Sequence, residues 1–303
     1  MSRLALGTWT WGAETDTEDA AGQLKLFLDA GGTLVDTADV YAGGNSERVV
    51  GQLLRGLRRD DVVVATKAGG LLEEVRGREC DASRRHLLTA LDESLSRLGL
   101  DHVDLWQLHV WDRLTPLEES LAAVDGAVTS GRARYAGVSN YTGWQTAAAA
   151  TWQQAWPGRV ALASTQVEYS LLARGAEAEV LPAAAHAGMG VLAWSPLGRG
   201  VLTGKYRDGI PPGSRATTHR AAFVGTYLDE RCARIAEAVI TAARDLGLPP
   251  SAVALAWARD RPGITAPVIG ARTAAQLAES LTAEQLTLPP PVRATLDDIS
   301  APA

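Results

Sequence analysis

The sequence predicts a single-domain α/β protein, a closed (β/α)8 TIM barrel, and three observations carry the prediction. Short β-rich runs alternate with longer helical patterns through most of the 303 residues, the signal for repeated βα units and a parallel sheet. The β-rich runs number eight, which in a chain of this length fits a closed barrel better than an open doubly wound sheet. The first βα connection lacks G-x-G-x-x-G, and no Ser-, Gly- or Pro-rich linker divides the chain. A dinucleotide fold of the Rossmann type and a two-domain chain are therefore both disfavoured, and one domain is expected over residues 1–303.

The strands are expected at Leu4–Thr8, Thr33–Thr37, Val62–Thr66, Val103–Leu108, Tyr135–Val138, Ser164–Val167, Gly190–Trp194 and Thr265–Ile269. Helices are expected between them at Asp19–Ala30, Glu47–Leu57, Arg84–Leu98, Leu117–Thr129, Ala176–His186 and Leu228–Leu246, several with apolar residues at i, i+3 and i+4. Ser83 is placed to cap one of these helices, and Gly99 to end it in left-handed geometry. Ala147–Ala150 reads as an alanine-rich helix surface, and Pro250–Arg261 as an extra helix before the last strand. A long Gly- and Pro-punctuated connection runs from Leu197 to Tyr227 after the seventh strand. Connections longer than ~12–15 residues are commonly functional. The cations Lys205, Arg207, Arg215 and Arg220 make this one a candidate phosphate-facing lid. The chain begins almost at its first strand, so a hairpin closing the barrel floor is expected to be absent.

Composition bounds the function. With 46% hydrophobic and 21% charged residues the chain can bury a sizeable core. A net charge of −6 gives no basic footprint for nucleic acid or an anionic membrane, though a local basic pocket could still take one phosphorylated ligand. Cys80 and Cys232 are far apart, with no His or Cys at metal-ligand spacing, so neither a disulfide framework nor a metal site is expected. No signal-like segment and no apolar run of ~18 residues occurs, which points to the cytoplasm.

Barrel active sites lie at the C-terminal ends of the strands. There the sequence offers Asp36 and Tyr41 after strand two, Lys67 after strand three and His109 after strand four. Adjacent strands are about 4.8 Å apart, so the four side chains can converge. Together they suit proton donation to a carbonyl oxygen. A phenol titrating near 10 is a sluggish acid at neutral pH; a neighbouring ammonium lowers that value, and a buried carboxylate holds the ammonium in place. A lysine closing the apolar run VVVATK is costly without such a partner.

The segment DTADVYAGGNSERVVGQLL, from Asp36 to Leu54, resembles the aldo-keto reductase signature; VVVATKAGG resembles that family's lysine strand, and SLSRLGLDHVDLWQLH the segment ending in its histidine. The pattern is most similar to bacterial general stress members and to potassium-channel β-subunits, and runs from Leu6 to about Leu281. The resemblance implies the barrel, NADPH (NADP+) as cofactor with NADH disfavoured, and reduction of an aldehyde or ketone by direct hydride transfer. Tyr41 would be the general acid, Lys67 and Asp36 its tuning pair, and His109 the group orienting the substrate. Cofactor contacts are implied at Thr8, Trp9 and Asp36. Ser139, Asn140 and Gln166 would meet the nicotinamide carboxamide, and Trp194 would stack on the ring. Ser195, Pro196, Leu197, Gly198 and Arg199, with Lys205, resemble the loop crossing the pyrophosphate. Gly270, Arg272, Gln276, Glu279 and Ser280 resemble the segment gripping the adenosine end, and Arg215 matches a position near the 2′-phosphate. Gly270 and Ser280 stand where many members carry Lys and Asn.

Trp9, Trp11 and Trp111 are expected to wall the substrate pocket. Two other readings compete. One is a catalytically weak NADPH-binding regulatory or redox-sensing subunit, against which His109 argues because such subunits usually place Asn there. The other is a barrel lyase using Lys67 as a Schiff base, which leaves Ser139, Gln166 and the Arg272 segment unexplained.

Overall fold

The computed structural model describes residues 1–75, 78–218 and 220–302. Its strands are β1 (Ala5–Gly7), β2 (Leu34–Asp36), β3 (Val63–Ala68), β4 (Gly70–Val75), β5 (Arg78–Cys80), β6 (Val103–Leu108), β7 (Ala133–Ser139), β8 (Leu162–Glu168), β9 (Gly190–Trp194) and β10 (Ala266–Ile269). All but β4 and β5 form one closed parallel barrel in the order β1-β10-β9-β8-β7-β6-β3-β2. Each predicted run is therefore a barrel strand, with ends displaced by a residue or two. The hairpin β4–β5 was not foreseen: Gly70 pairs with Cys80 and Val75 with Arg78, inserting an antiparallel ribbon at the mouth immediately after β3.

The outer layer comprises α1 (Thr17–Asp29), α2 (Asn45–Leu54), α3 (Arg84–Leu98), α4 (Leu117–Thr129), α5 (Gly143–Gln154), α6 (Val180–Ala187), α7 (Ala221–Gly225), α8 (Glu230–Leu246), α9 (Pro250–Arg259), α10 (Ala274–Leu281) and α11 (Pro290–Ile299). Helix α3 starts where Ser83 accepts from the His86 amide at 3.4 Å and ends at Gly99 with φ 65°, as its sequence predicts. Helix α11 was given no bounds by the sequence reading, and three consecutive prolines, Pro289, Pro290 and Pro291, would ordinarily mark a break. The prolines instead occupy its cap and first turn, where a missing N–H costs nothing. Helices α2 and α3 touch at Gly51: a Cβ there would lie 2.3 Å from the Leu98 carbonyl oxygen.

Inside the barrel, Ala5, Leu34, Ala65, Leu105, Leu192, Ala266 and Val268 form an apolar plug. Because alternate residues of a strand face inward, the next inward positions toward the mouth are polar: Asp36, Lys67, Gln107, Ser139 and Gln166, all buried. Room for this layer depends on Gly137, whose added Cβ would stand 2.4 Å from Ser164 Oγ. The long connection after β9 is not a plain loop. It winds through short 3-10 turns at Gly198–Thr203 and Arg215–Thr217 and then α7, with residue 219 outside the described residues. Among the described residues, no helix is long and apolar enough to cross a membrane.

Candidate active site

The ends of β2 and β3 place a buried ion pair at the top of the barrel. Lys67 Nζ donates to Asp36 Oδ2 at 2.6 Å, to the Thr37 carbonyl at 2.8 Å and to Tyr41 Oη at 3.4 Å. Asp36 and Lys67 are 2% and 1% exposed, so neither charge is tolerable without the other. Gln166, from β8 across the barrel, donates to Asp36 Oδ1 at 3.0 Å and fixes the remaining carboxylate oxygen. Tyr41 reaches the pair because the chain leaves β2 in a tight turn whose Ala42 and Gly43 adopt φ of 49° and 64°. The His109 ring meets Tyr41 edge-on at 6.0 Å between centroids.

Electrostatics assign a resting state to each group. Burial pushes the Tyr41 phenol above its ordinary value and outweighs the pull of the Lys67 ammonium. The expected direction was downward; desolvation reverses it, and the phenol rests protonated. For Lys67, burial alone would favour the neutral amine, but Asp36 and then Tyr41 raise its pKa above the usual lysine value. His109 is pushed down to about 3, by burial and then by Lys67, so its imidazole is neutral near pH 7.

Tyr41 and His109 line a cavity of about 660 Å³ together with Ser139, Asn140, Gln166 and Trp194. The same cavity is lined by Ser195, Pro196, Leu197, Arg199 and Lys205, and by Arg215, Gly270, Arg272, Gln276, Glu279 and Ser280, with Trp9 and Asp36 also in the wall. Asn140 and Ser195, directly after β7 and β9, hold φ of 57° and 51°. Such non-glycine strain persists where surrounding contacts over-determine it. Here Trp194 Nε1 donates to Asn140 Oδ1 at 2.9 Å and Asn140 Nδ2 donates to the His109 carbonyl at 3.0 Å, tying three strand ends together.

In the same wall, Lys205, Arg215 and Arg272 form no ion pair among the described residues. Arg215 Nε is buried without a partner, and Arg272 is held by the Gly213 carbonyl at 3.0 Å. The Lys205 ammonium is pushed down to about 8, by desolvation and then by Arg215 and Arg272. Unpaired like charges of this kind raise the local positive potential of the cavity wall.

Several expected site residues lie elsewhere. Thr8 is wholly buried behind the site, its hydroxyl 2.7 Å from Ser46 Oγ, and Gly198 is buried against Leu172. Trp11 is not a pocket wall: it is 0% exposed and donates to Gln23 at 3.1 Å, packed beneath α1. Trp111 is outside the cavity lining and packs edge-on against Tyr141 and Trp144 at 5.1 and 5.2 Å. Within the lid, Arg207 pairs with Glu237 at 3.0 Å and Arg220 with Glu14, so those two cations face carboxylates. Arg199 is likewise neutralised by a two-pronged bond to Glu168 at 3.0 and 2.8 Å. Sequence reasoning missed Phe223, which lines the cavity from α7 and lies 3.7 Å beneath the Arg199 guanidinium; a short apolar run, AAFVG, inside the long connection was the available signal. Among the described residues, no group of His, Cys, Asp and Glu is placed to hold a metal ion.

Fold and site together define an α/β barrel protein whose mouth joins a buried Asp–Lys–Tyr group to a cavity lined in part by unpaired cations. The chain belongs to the aldo/keto reductase family, whose model matches residues 3–301. It is 37% identical over 99% of its length to an uncharacterized oxidoreductase, YrpG, of Bacillus subtilis (strain 168), covering 92% of that protein. It is also 36% identical, over 93% of its length and 87% of the relative's, to a probable voltage-gated potassium channel subunit beta of Oryza sativa subsp. japonica. A putative voltage-gated potassium channel subunit beta of Schizosaccharomyces pombe is 34% identical over 99% of the chain, with 90% of that protein covered.

Proposed function

We propose that the chain is an NADP(H)-dependent reductase of aldehydes or ketones, with Tyr41 as general acid. The observation that carries this reading is the single cavity lined by both a loaded proton donor and unpaired cations. The residues fit a phosphorylated dinucleotide: the orphaned Arg215 Nε, with Lys205 and Arg272, supplies charge that a 2′-phosphate and pyrophosphate would complete. Such a cofactor, when bound, supplies a hydride to the carbonyl carbon.

The protein's own work is on the oxygen. A carbonyl beside Tyr41 accepts hydrogen bonds from the phenol and from His109. His109 Nδ1 is buried without a partner; an unmet acceptor costs less than an unmet donor, so the neutral ring carries its proton on Nε2. His109 then polarises and orients the carbonyl without titrating. As negative charge grows on oxygen, Tyr41 gives up its proton. The Lys67 ammonium, locked by Asp36, stabilises the phenolate left behind. The raised pKa of Lys67 also weighs against a Schiff-base lyase, which needs a neutral amine.

Tyr41→Phe should lower turnover by about 10²–10⁴-fold while NADPH affinity stays within about twofold, because the hydroxyl acts in the chemical step. NADPH oxidation with a panel of aromatic and aliphatic aldehydes, alongside cofactor titration, measures both. Unchanged turnover in the variant would remove the mechanism. A second reading, an NADPH-binding regulatory subunit, draws on the names of the rice and fission-yeast relatives. Tight NADPH binding with no carbonyl-dependent oxidation in the native chain would favour it.

A further inference from the structure

A second carboxyl group sits two residues before the proposed proton donor, close enough to influence it, and the mechanism above makes no use of it. Asp39 lies between Asp36 and Tyr41 on the turn leaving β2, with its amide donating to the Lys67 carbonyl at 3.1 Å. Its Oδ1 is buried and has no hydrogen-bond partner. The cations nearby are already engaged. On α2, Glu47 is 0% exposed, accepts from Thr66 Oγ1 at 2.6 Å and binds Arg97 Nε of α3 at 2.6 Å. Arg97 also holds Ser94 and stands 3.6 Å from Glu93, while Lys67 of β3 is locked to Asp36. Half-buried Asp39 thus feels Glu47 and a guanidinium that Glu47 has already captured, and it has no counter-ion of its own among the described residues.

We propose that Asp39 is a positioning residue for the reaction: a carboxyl group with an unpartnered buried oxygen on the turn that carries Tyr41, neutral in the working state, whose ionisation adds a negative charge near that phenol and weakens it as an acid. The charges facing it are Glu47 from α2, Arg97 from α3, Lys67 from β3 and Tyr41 from its own turn. Burial, then Glu47, lifts its pKa to about 7 against the help of the Val40 amide, Arg97 and Lys67. An ionised Asp39 in turn raises Tyr41. The sign follows. Below about pH 7 Asp39 is neutral and the phenol is the stronger acid; as pH rises through 7 the carboxylate forms and proton donation slows. The assignment to proton donation rests on the carbonyl-reductase reading, whereas the titration of Asp39 does not.

The test uses the full chain, native and Asp39→Asn, with two readouts. In infrared difference spectra between about pH 6 and pH 8, bracketing the titration point, the native protein should lose a protonated-carboxyl band that is absent from Asp39→Asn. In single-turnover reduction of an aromatic aldehyde by NADPH, the native rate should fall several-fold across the same interval, the fall should vanish in Asp39→Asn, and Asp39→Glu should restore it. A merely structural role for Asp39 would lower the rate equally at all pH values. A carboxyl band that survives in Asp39→Asn, or a descending limb unchanged in that variant, overturns the proposal. A protein that shows the Asp39 band but reduces no carbonyl overturns the reductase reading instead and leaves the buried titrating group standing.

Discussion

Lys67→Met separates the chemical and the structural parts of the buried ion pair. The ammonium lies 3.4 Å from Tyr41 Oη. At an effective dielectric of about 20, a full phenolate at that distance is stabilised by roughly 332/(20 × 3.4), or about 5 kcal/mol. At about 1.4 kcal/mol per decade this bounds the loss at between 10³- and 10⁴-fold, and a partly developed charge in the transition state puts the expected fall in reduction rate near 10³-fold. The same substitution strands Asp36, 2% exposed, without its cation, a cost of about 3–5 kcal/mol in stability. The double variant Asp36→Asn/Lys67→Met removes the stranded charge while Gln166 keeps an oxygen to donate to. Most of the lost stability should return, and the rate should not. Urea denaturation of the three proteins reads the first quantity, and single-turnover oxidation of NADPH the second. If the double variant regains turnover along with stability, or if Lys67→Met alone turns over within about tenfold of the native protein, Lys67 does not act on the phenol electrostatically.

Two further outcomes test other parts of the molecule. Because the free Lys205 ammonium is held down to about 8, phosphates bound beside it should raise its pKa. NADPH binding above about pH 8 should therefore take up a proton, and affinity should fall as pH rises through that value. Calorimetry in buffers of differing ionisation enthalpy reads the uptake, which should disappear in Lys205→Met. Gly51→Ala places a methyl group 2.3 Å from the Leu98 carbonyl oxygen. It should destabilise the fold by about 1–3 kcal/mol through overpacking, seen as a lower denaturation midpoint, and an unaffected midpoint would mean that α2 and α3 separate at little cost.

Most of the barrel was legible because its strands are short β-rich runs and its helices carry 3.6-residue periodicity. The Arg84–Leu98 and Leu117–Thr129 helices coincide with their predicted bounds. The hairpin β4–β5 was not legible: Gly69 and Gly70 followed by mixed acidic and basic residues give no alternating apolar pattern that marks a strand. The convergence of Asp36, Lys67 and Tyr41 was readable by residue type and strand end, but the direction of the Tyr41 shift was not, since it turns on burial that no spacing reports. Trp11 and Trp111 failed as pocket walls for a related reason. A tryptophan near a strand end carries no label for inward, outward or sideways, and Gln23 and Tyr141 decide which way these two point.

Charge pairing shows what the sequence could give only as a count. Three buried or half-buried carboxylates of this acidic chain each hold a cation, Asp36 with Lys67, Glu47 with Arg97 and Glu168 with Arg199, while Asp39 holds none among the described residues. Among the described residues, Lys205, Arg215 and Arg272 face one another across a cavity without such matches. Leaving three cations to repel one another in a protein with a net charge of −6 costs stability that nearby Glu or Asp residues could have offset. A ligand bearing several negative charges recovers that cost on binding, so the unmatched cations and the fully matched pair beside Tyr41 are two halves of one arrangement.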